Sequence, residues 1–230
     1  MSAALTKEKT VEKGTSPVCD ALVKRHIVVA LARELARQHQ YYIPAAASSR
    51  HAHLSAEALE ALFGRGYELK TLRPLSQPDQ IACEETIDLI GPKGRIKGVR
   101  VLGPVRPATQ VEISTTDTYR LGIKPAVRMS GDTGGSPGCT LEGPAGQIAL
   151  SEGAIVAARH LHMSDADAQL YGLRSGDIVA ARKTGERETV FGNILVRAGS
   201  AHALELHLDI DEANAAGIKN GDLLELIRQP

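Results

Sequence analysis

A four-fold repeat constrains this chain more than any other feature. The stretches HAHLSAEALEALFG, QVEISTTDTYRLG, HLHMSDADAQLYG and ELHLDIDEANAAG align on one plan. Each runs from a metal-capable residue through one apolar residue to a capping Ser or Asp: His53-Leu54-Ser55, Glu112-Ile113-Ser114, His162-Met163-Ser164 and His207-Leu208-Asp209. A short helical segment then ends near Gly64, Gly122, Gly172 and Gly217. A cap oxygen satisfies the free N–H groups of a helix start, and glycine accepts the left-handed backbone that ends one. The repeated unit therefore reads as strand, cap, short helix, glycine stop, next strand. A second echo, TIDLIGPKGRI against TLEGPAGQI, suggests that half the molecule was duplicated. Between these units run short Val/Ile/Leu segments split by Gly-Pro turns, the texture of small antiparallel sheets or barrels. The expected fold is mainly β with short helices, in two similar β domains that each contribute two units.

Residues two apart on a strand face the same side. His51 and His53 can therefore converge, and so can His160 and His162, with Glu112 and His207 in the matching slots of the other two units. If the halves face each other, five imidazoles and one carboxylate meet, enough ligands for two ions. The mixed His/Glu set suits zinc best, while iron, cobalt, nickel and manganese remain compatible by ligand type. A lone His-x-His is common in ordinary strands; two pairs at matching repeat positions are not. His202 falls outside the pattern and reads as a surface residue, as do His26 and His39.

Arg50, Arg73, Arg100, Arg106 and Arg159 are candidates for holding an anion, and Arg106 precedes Glu112 on the approach to the presumed ions. The loop SGDTGGSPG (130–138) could wrap a phosphate with backbone amides or be a plain turn. No nucleophile elbow is present, and Cys19, Cys83 and Cys139 read as small buried hydrophobes. Lysines and arginines (27) balance aspartates and glutamates (27), and tryptophan is absent, which argues against nucleic acid as a partner. No apolar stretch suits a membrane span and the start lacks a secretory core, so a cytoplasmic protein is expected. Residues 1–16 read as a disordered tail. Asp20 to Gln38 read as a helix carrying Val23, Ile27, Leu31 and Leu35 at every fourth position.

The segments SSRHAHLS, LRPLSQPDQIACEETIDLIGPKGRIKGVRVLGPVRPATQVEIS, SGDTGGSPG and ARHLHMS with LHLDIDEANAAG together resemble the PduL-type phosphate propanoyltransferases, the phosphotransacylases of bacterial microcompartments. The resemblance spans about Ile43 to the C-terminus. It implies the reaction acyl-CoA + phosphate ⇌ acyl phosphate + CoA, with propanoyl as the typical acyl group in propanediol degradation. It implies two six-stranded β-barrels capped by short helices, with two zinc ions per chain and CoA between them. Residues 41–49 would join 158–230 in one barrel, 50–157 would form the other, and 1–40 would lie outside both. Carried over by residue, His51, His53 and Glu112 match ligands of one zinc and His160, His162 and His207 those of the other. Arg106 matches the catalytic, phosphate-binding arginine, with Ser130 beside it. Ser48, Arg73, Arg100, Leu102, His207 and Asn214 match CoA contacts. The chain departs from the family at Ala46, Ser49 and Met129, where Gly, Asn and an acidic residue are usual.

The N-terminal helix resembles the amphipathic extensions that dock family members onto a microcompartment shell or its cargo. On that reading residues 20–38 bind shell or cargo proteins, the enzyme sits in the microcompartment lumen as a homo-oligomer, and removal of residues 1–38 spares catalysis. Packing on the chain's own core is the competing role for the helix. Two further functions fit the same ligands: a di-metal hydrolase of thioesters or phosphate esters, and a metal-binding β-barrel module without activity.

Overall fold

The computed structural model describes residues 17–228, with side chains from residue 20 onward; the tail expected over 1–16 and the side chain of Cys19 lie outside the described residues. The first helix, α1 (Pro17–Arg37), leads into β1 (Tyr42–Ser48), β2 (His51–His53) and α2 (Ala56–Phe63). Next come β3 (Thr71–Pro74), β4 (Ile81–Ile90), β5 (Arg95–Gly103), β6 (Gln110–Glu112) and α3 (Thr115–Leu121). They are followed by β7 (Val127–Arg128), β8 (Thr140–Glu142), β9 (Gln147–Ala149) and β10 (Ala154–Ala157). The last part holds β11 (His160–Met163), α4 (Asp165–Tyr171), β12 (Ile178–Lys183), β13 (Thr189–Ala198), β14 (Glu205–Asp209), α5 (Ile210–Ala216) and β15 (Leu223–Arg228).

The four repeated junctions form as their sequence predicts. Ser55, Ser114, Ser164 and Asp209 each stand in extended backbone, with the side chain accepting the N–H three residues on. Asp117 and Glu212 answer with the reciprocal bond of a capping box. Gly122, Gly172 and Gly217 take the left-handed conformation that ends the helix.

One barrel closes, with strand order β1-β14-β11-β13-β12-β15. β1 seals it, parallel to β14 on one side and antiparallel to β15 on the other. Its core includes Leu161, Met163, Ile194, Val196, Leu206 and Leu224, all without solvent contact. The second sheet runs β7-β10-β6-β2-β5-β4-β8-β9, with β3 on β4, over a core of Ala52, Leu62, Leu89, Val101, Val111 and Leu141. The expectation of two closed barrels is corrected here: this second sheet stays open. Where β1 meets β15 over three residue pairs, the far edge of β10 pairs with β7, and only its start meets the approach to β8, through Ala154 N–H on Pro137 O (2.9 Å) beside Gly153 N–H on Ser136 Oγ (2.9 Å). Pro137 has no N–H to return, so a reciprocal ladder cannot start there.

Each sheet borrows a strand from across the sequence. β1 leaves the closed barrel just before β2, and β10 leaves the open sheet just before β11. The chain therefore crosses between the halves twice, each time at an Arg-His-x-His.

α1 packs on the closed barrel through Val29, Ala32 and Ala36, whose small side chains allow close approach. Tyr171 donates its hydroxyl to Tyr42 O (2.6 Å), with Ala32 O at 3.2 Å, and Arg33 grips Asp167 with two bonds of 2.7 and 2.9 Å. The every-fourth-residue stripe that marks the helix in the sequence points elsewhere: Val23, Ile27 and Leu31 are 51, 61 and 48 % exposed. Both sides of α1 are apolar, and the alanine side is the one buried.

Candidate active site

Strand register brings the ligand candidates together. In the antiparallel pair β2–β6, His51 stands opposite Glu112 and His53 opposite Gln110. In β11–β14, His160 stands opposite His207 and His162 opposite Glu205. The intervening Ala52, Val111, Leu161 and Leu206 are fully buried in the two cores, so period-two alternation turns the polar side chains to the opposite face. Two groups result, His51/His53/Glu112 and His160/His162/His207, each with ligand atoms within 4.8 Å of one another. Glu112 acts electrostatically on His160, so the two groups lie within reach of each other's charge.

The nitrogens are committed in a pattern that suits metal ligation. His51 Nδ1 donates to Ser49 O (2.9 Å) and His160 Nδ1 to Ala158 O (2.8 Å), which leaves Nε2 as the nitrogen each could offer a cation, that of His51 lying 3.6 Å from Glu112 and giving up its proton first. His53 and His162 each have a buried Nδ1 with no hydrogen-bond partner among the described residues. Burial, then His51 and Arg106, press His53 down to about 3. Burial, then His207, press His160 down to about 4 and His162 to about 2. These rings are neutral at physiological pH, the form that binds a cation. Burial also opposes the charges of His51 and Glu112, but at 3.6 Å each outweighs that penalty for the other: His51 is raised, and Glu112 is held well below the usual carboxylate range. A buried orphan nitrogen in each half, neutral imidazoles and an ionised carboxylate fit two divalent ions.

Each group is supported by a residue the repeat reading passed over. Gln110 donates its amide to Glu112 Oε1 (2.6 Å) and Ser130 Oγ (2.9 Å), and takes the Gly131 N–H on its oxygen (2.7 Å). This ties the glycine-rich loop to the first group and sets Ser130 beside Glu112. Arg106 is anchored by its backbone N–H on Leu54 O (2.9 Å), while its guanidinium acts on His51, His53 and Glu112. Arg197, across from His162 on β13, acts on His160, His162 and Arg106. Neither guanidinium has a hydrogen-bonded acid among the described residues. His202 does not stand apart on the surface as expected: its ring lies 4.3 Å from that of His162, centroid to centroid. His26 and His39 are exposed, as read from the sequence.

Arg50 and Arg159 are each paired with a carboxylate. Arg50 Nε donates to Asp117 (2.8 Å) and Arg159 Nε to Glu212 (2.5 Å), the third residue of α3 and of α5. The arginine of each Arg-His-x-His thus braces the crossover to a helix start of the sheet it enters. Of the CoA candidates, Arg100 and Leu102 flank His51 and His53 on β5, with Arg100 Nη1 donating to Cys83 O (3.0 Å) and Glu84 O (2.8 Å). Arg73 is exposed on β3, Ser48 ends β1 opposite Asp209, and Asn214 is exposed on α5. These residues come from both halves of the fold. Cys83 and Cys139 are buried and unpaired, and no described helix is long and apolar enough to cross a membrane.

With this geometry in view, relatives can be compared. The chain is similar to the phosphate propanoyltransferase of Thermotoga maritima, 51 % identical over 78 % of this chain and 86 % of the relative. It is likewise similar to those of Shewanella putrefaciens (47 % identical; 81 and 89 % covered) and Rhodobacter capsulatus (43 %; 90 and 97 %). Likeness at this level makes the chain an enzyme of the acyltransferase class. A family model described as phosphate propanoyltransferase matches residues 44–219, and the chain belongs to that family.

Proposed function

We propose that this enzyme interconverts acyl-CoA and phosphate with acyl phosphate and CoA, propanoyl being the acyl group, at a two-metal site between its halves. The observation that carries the reading is the grouping of His51, His53 and Glu112 and of His160, His162 and His207, beside two arginines that hydrogen-bond no acid among the described residues. His51, His53 and Glu112 would hold one ion and His160, His162 and His207 the other, zinc suiting the donor set best. When bound, such ions supply Lewis acidity to the thioester carbonyl and to the departing thiolate sulfur. Arg106 and Ser130 bind phosphate and aim one of its oxygens at the carbonyl carbon; the new C–O bond forms as the C–S bond breaks, and CoA leaves as thiolate. Phosphate is already anionic near neutral pH, so the reaction needs no strong base. Arg197 adds positive potential on the opposite wall. Ser48, Arg73, Arg100, Leu102, His207 and Asn214 would line a CoA path between the halves. The exposed Val23–Ile27–Leu31 stripe is the surface by which α1 would meet shell or cargo proteins of a microcompartment.

Purified protein given propanoyl-CoA is expected to release free thiol only when phosphate is added. Release without phosphate would make it a hydrolase, and no release from metal-loaded protein would leave a binding module.

A further inference from the structure

The two groups differ in their third ligand, carboxylate in one and imidazole in the other, and the residue two positions before it differs to match. On β6, Gln110 donates an amide N–H to the carboxylate of Glu112 (2.6 Å). On β14, Glu205 accepts from the imidazole of His207, Nε2 to Oε2, at 2.9 Å. A donor supports the acceptor ligand, and an acceptor supports the ligand that has an N–H to give.

We propose that Glu205 is a positioning residue for His207, holding Nε2 protonated so that Nδ1 is the nitrogen turned to the metal. The inference rests on the metal reading given above. Ligating histidines are commonly fixed this way, since a carboxylate on the far nitrogen sets both tautomer and ring orientation. His51 and His160 have only backbone carbonyls in that role.

Glu205 is itself buried and held from three directions. Ser76 donates its hydroxyl to Oε2. Gln77 reaches the same oxygen at 3.3 Å, and its amide pairs in both directions with the backbone of Ala203 (3.0 and 3.1 Å). Arg25 of α1 approaches Oε1 at 3.3 Å. The loop after β3 belongs to the open sheet and α1 lies outside both sheets, so His207 takes its orientation from all three parts of the fold.

The test is made on the full-length, zinc-loaded protein. Nitrogen-15 NMR of the histidine rings is expected to show His207 bound through Nδ1 with a slowly exchanging Nε2 proton; metal on Nε2 would overturn the proposal. Glu205→Gln keeps the shape but removes the anionic acceptor. In competition with a chromophoric chelator, the variant is expected to bind one ion about 10–100-fold more weakly and the other unchanged. Two sites of wild-type affinity in the variant would overturn this inference alone, whereas wild-type protein that binds no ion would overturn the metal reading with it.

Discussion

Replacing His160 with alanine is expected to remove one of the two bound ions and to cut phosphate-dependent thiol release by about 10³-fold or more. His160 is buried, its Nδ1 is spent on Ala158 O, and its neutral Nε2 is left for the three-histidine group. Without it, His162 and His207 alone face that position. Loss of one fixed group that stabilises an oxyanion costs on the order of 10²–10³-fold, and losing a cation removes more than one such group. The His51/His53/Glu112 group lies on other strands and should keep its ion, so elemental analysis should find the metal content halved rather than abolished. Full activity with unchanged metal content would refute the assignment.

Deleting residues 1–38 should destabilise the whole enzyme, contrary to the view of this segment as a detachable targeting tail. The deletion uncovers the barrel surface beneath Val29, Ala32 and Ala36, and Val29 alone contributes about 1.5–3 kcal/mol by burial. It also strips Asp167 of Arg33, and a buried carboxylate losing a partner costs about 1–3 kcal/mol. Together these should lower Tm by roughly 5–20 °C, and activity should fall as Arg25 no longer holds Glu205. Serine at Val23, Ile27 and Leu31 together, on the outward face, should change Tm little and, if the proposed docking role holds, weaken binding to shell or cargo proteins. Calorimetry on both proteins separates the cases: a truncated enzyme as stable as the full chain would return α1 to the status of a separable tail.

The sequence showed the site better than the architecture around it, and the division follows the range of each interaction. The His-x-His pairs, the caps and the glycine stops are local, set by period-two alternation and by helix ends, and all four junctions form where the repeat placed them. Barrel closure depends on contacts between distant strands, and nothing in the repeat shows that Pro137 meets Ala154 without an N–H to offer. Arg197 and His202 join the site by the same kind of distant contact. Gln110 and Glu205 were within reach: each stands two residues before a third ligand on the same strand face, the spacing that singled out the histidine pairs. The arginines of the two Arg-His-x-His motifs pair with Asp117 and Glu212, partners far along the sequence that no local pattern shows. For α1, a regular large-residue stripe outweighed an alanine face in the sequence, whereas in packing the smaller face won.

On the proposed reading, four repeated strand-to-helix junctions build one paired metal site. Anomalous diffraction at the zinc edge, from crystals of the zinc-loaded enzyme, tests it most directly. Two peaks are predicted, one among His51, His53 and Glu112 and one among His160, His162 and His207. A single peak, or peaks away from these side chains, would contradict it.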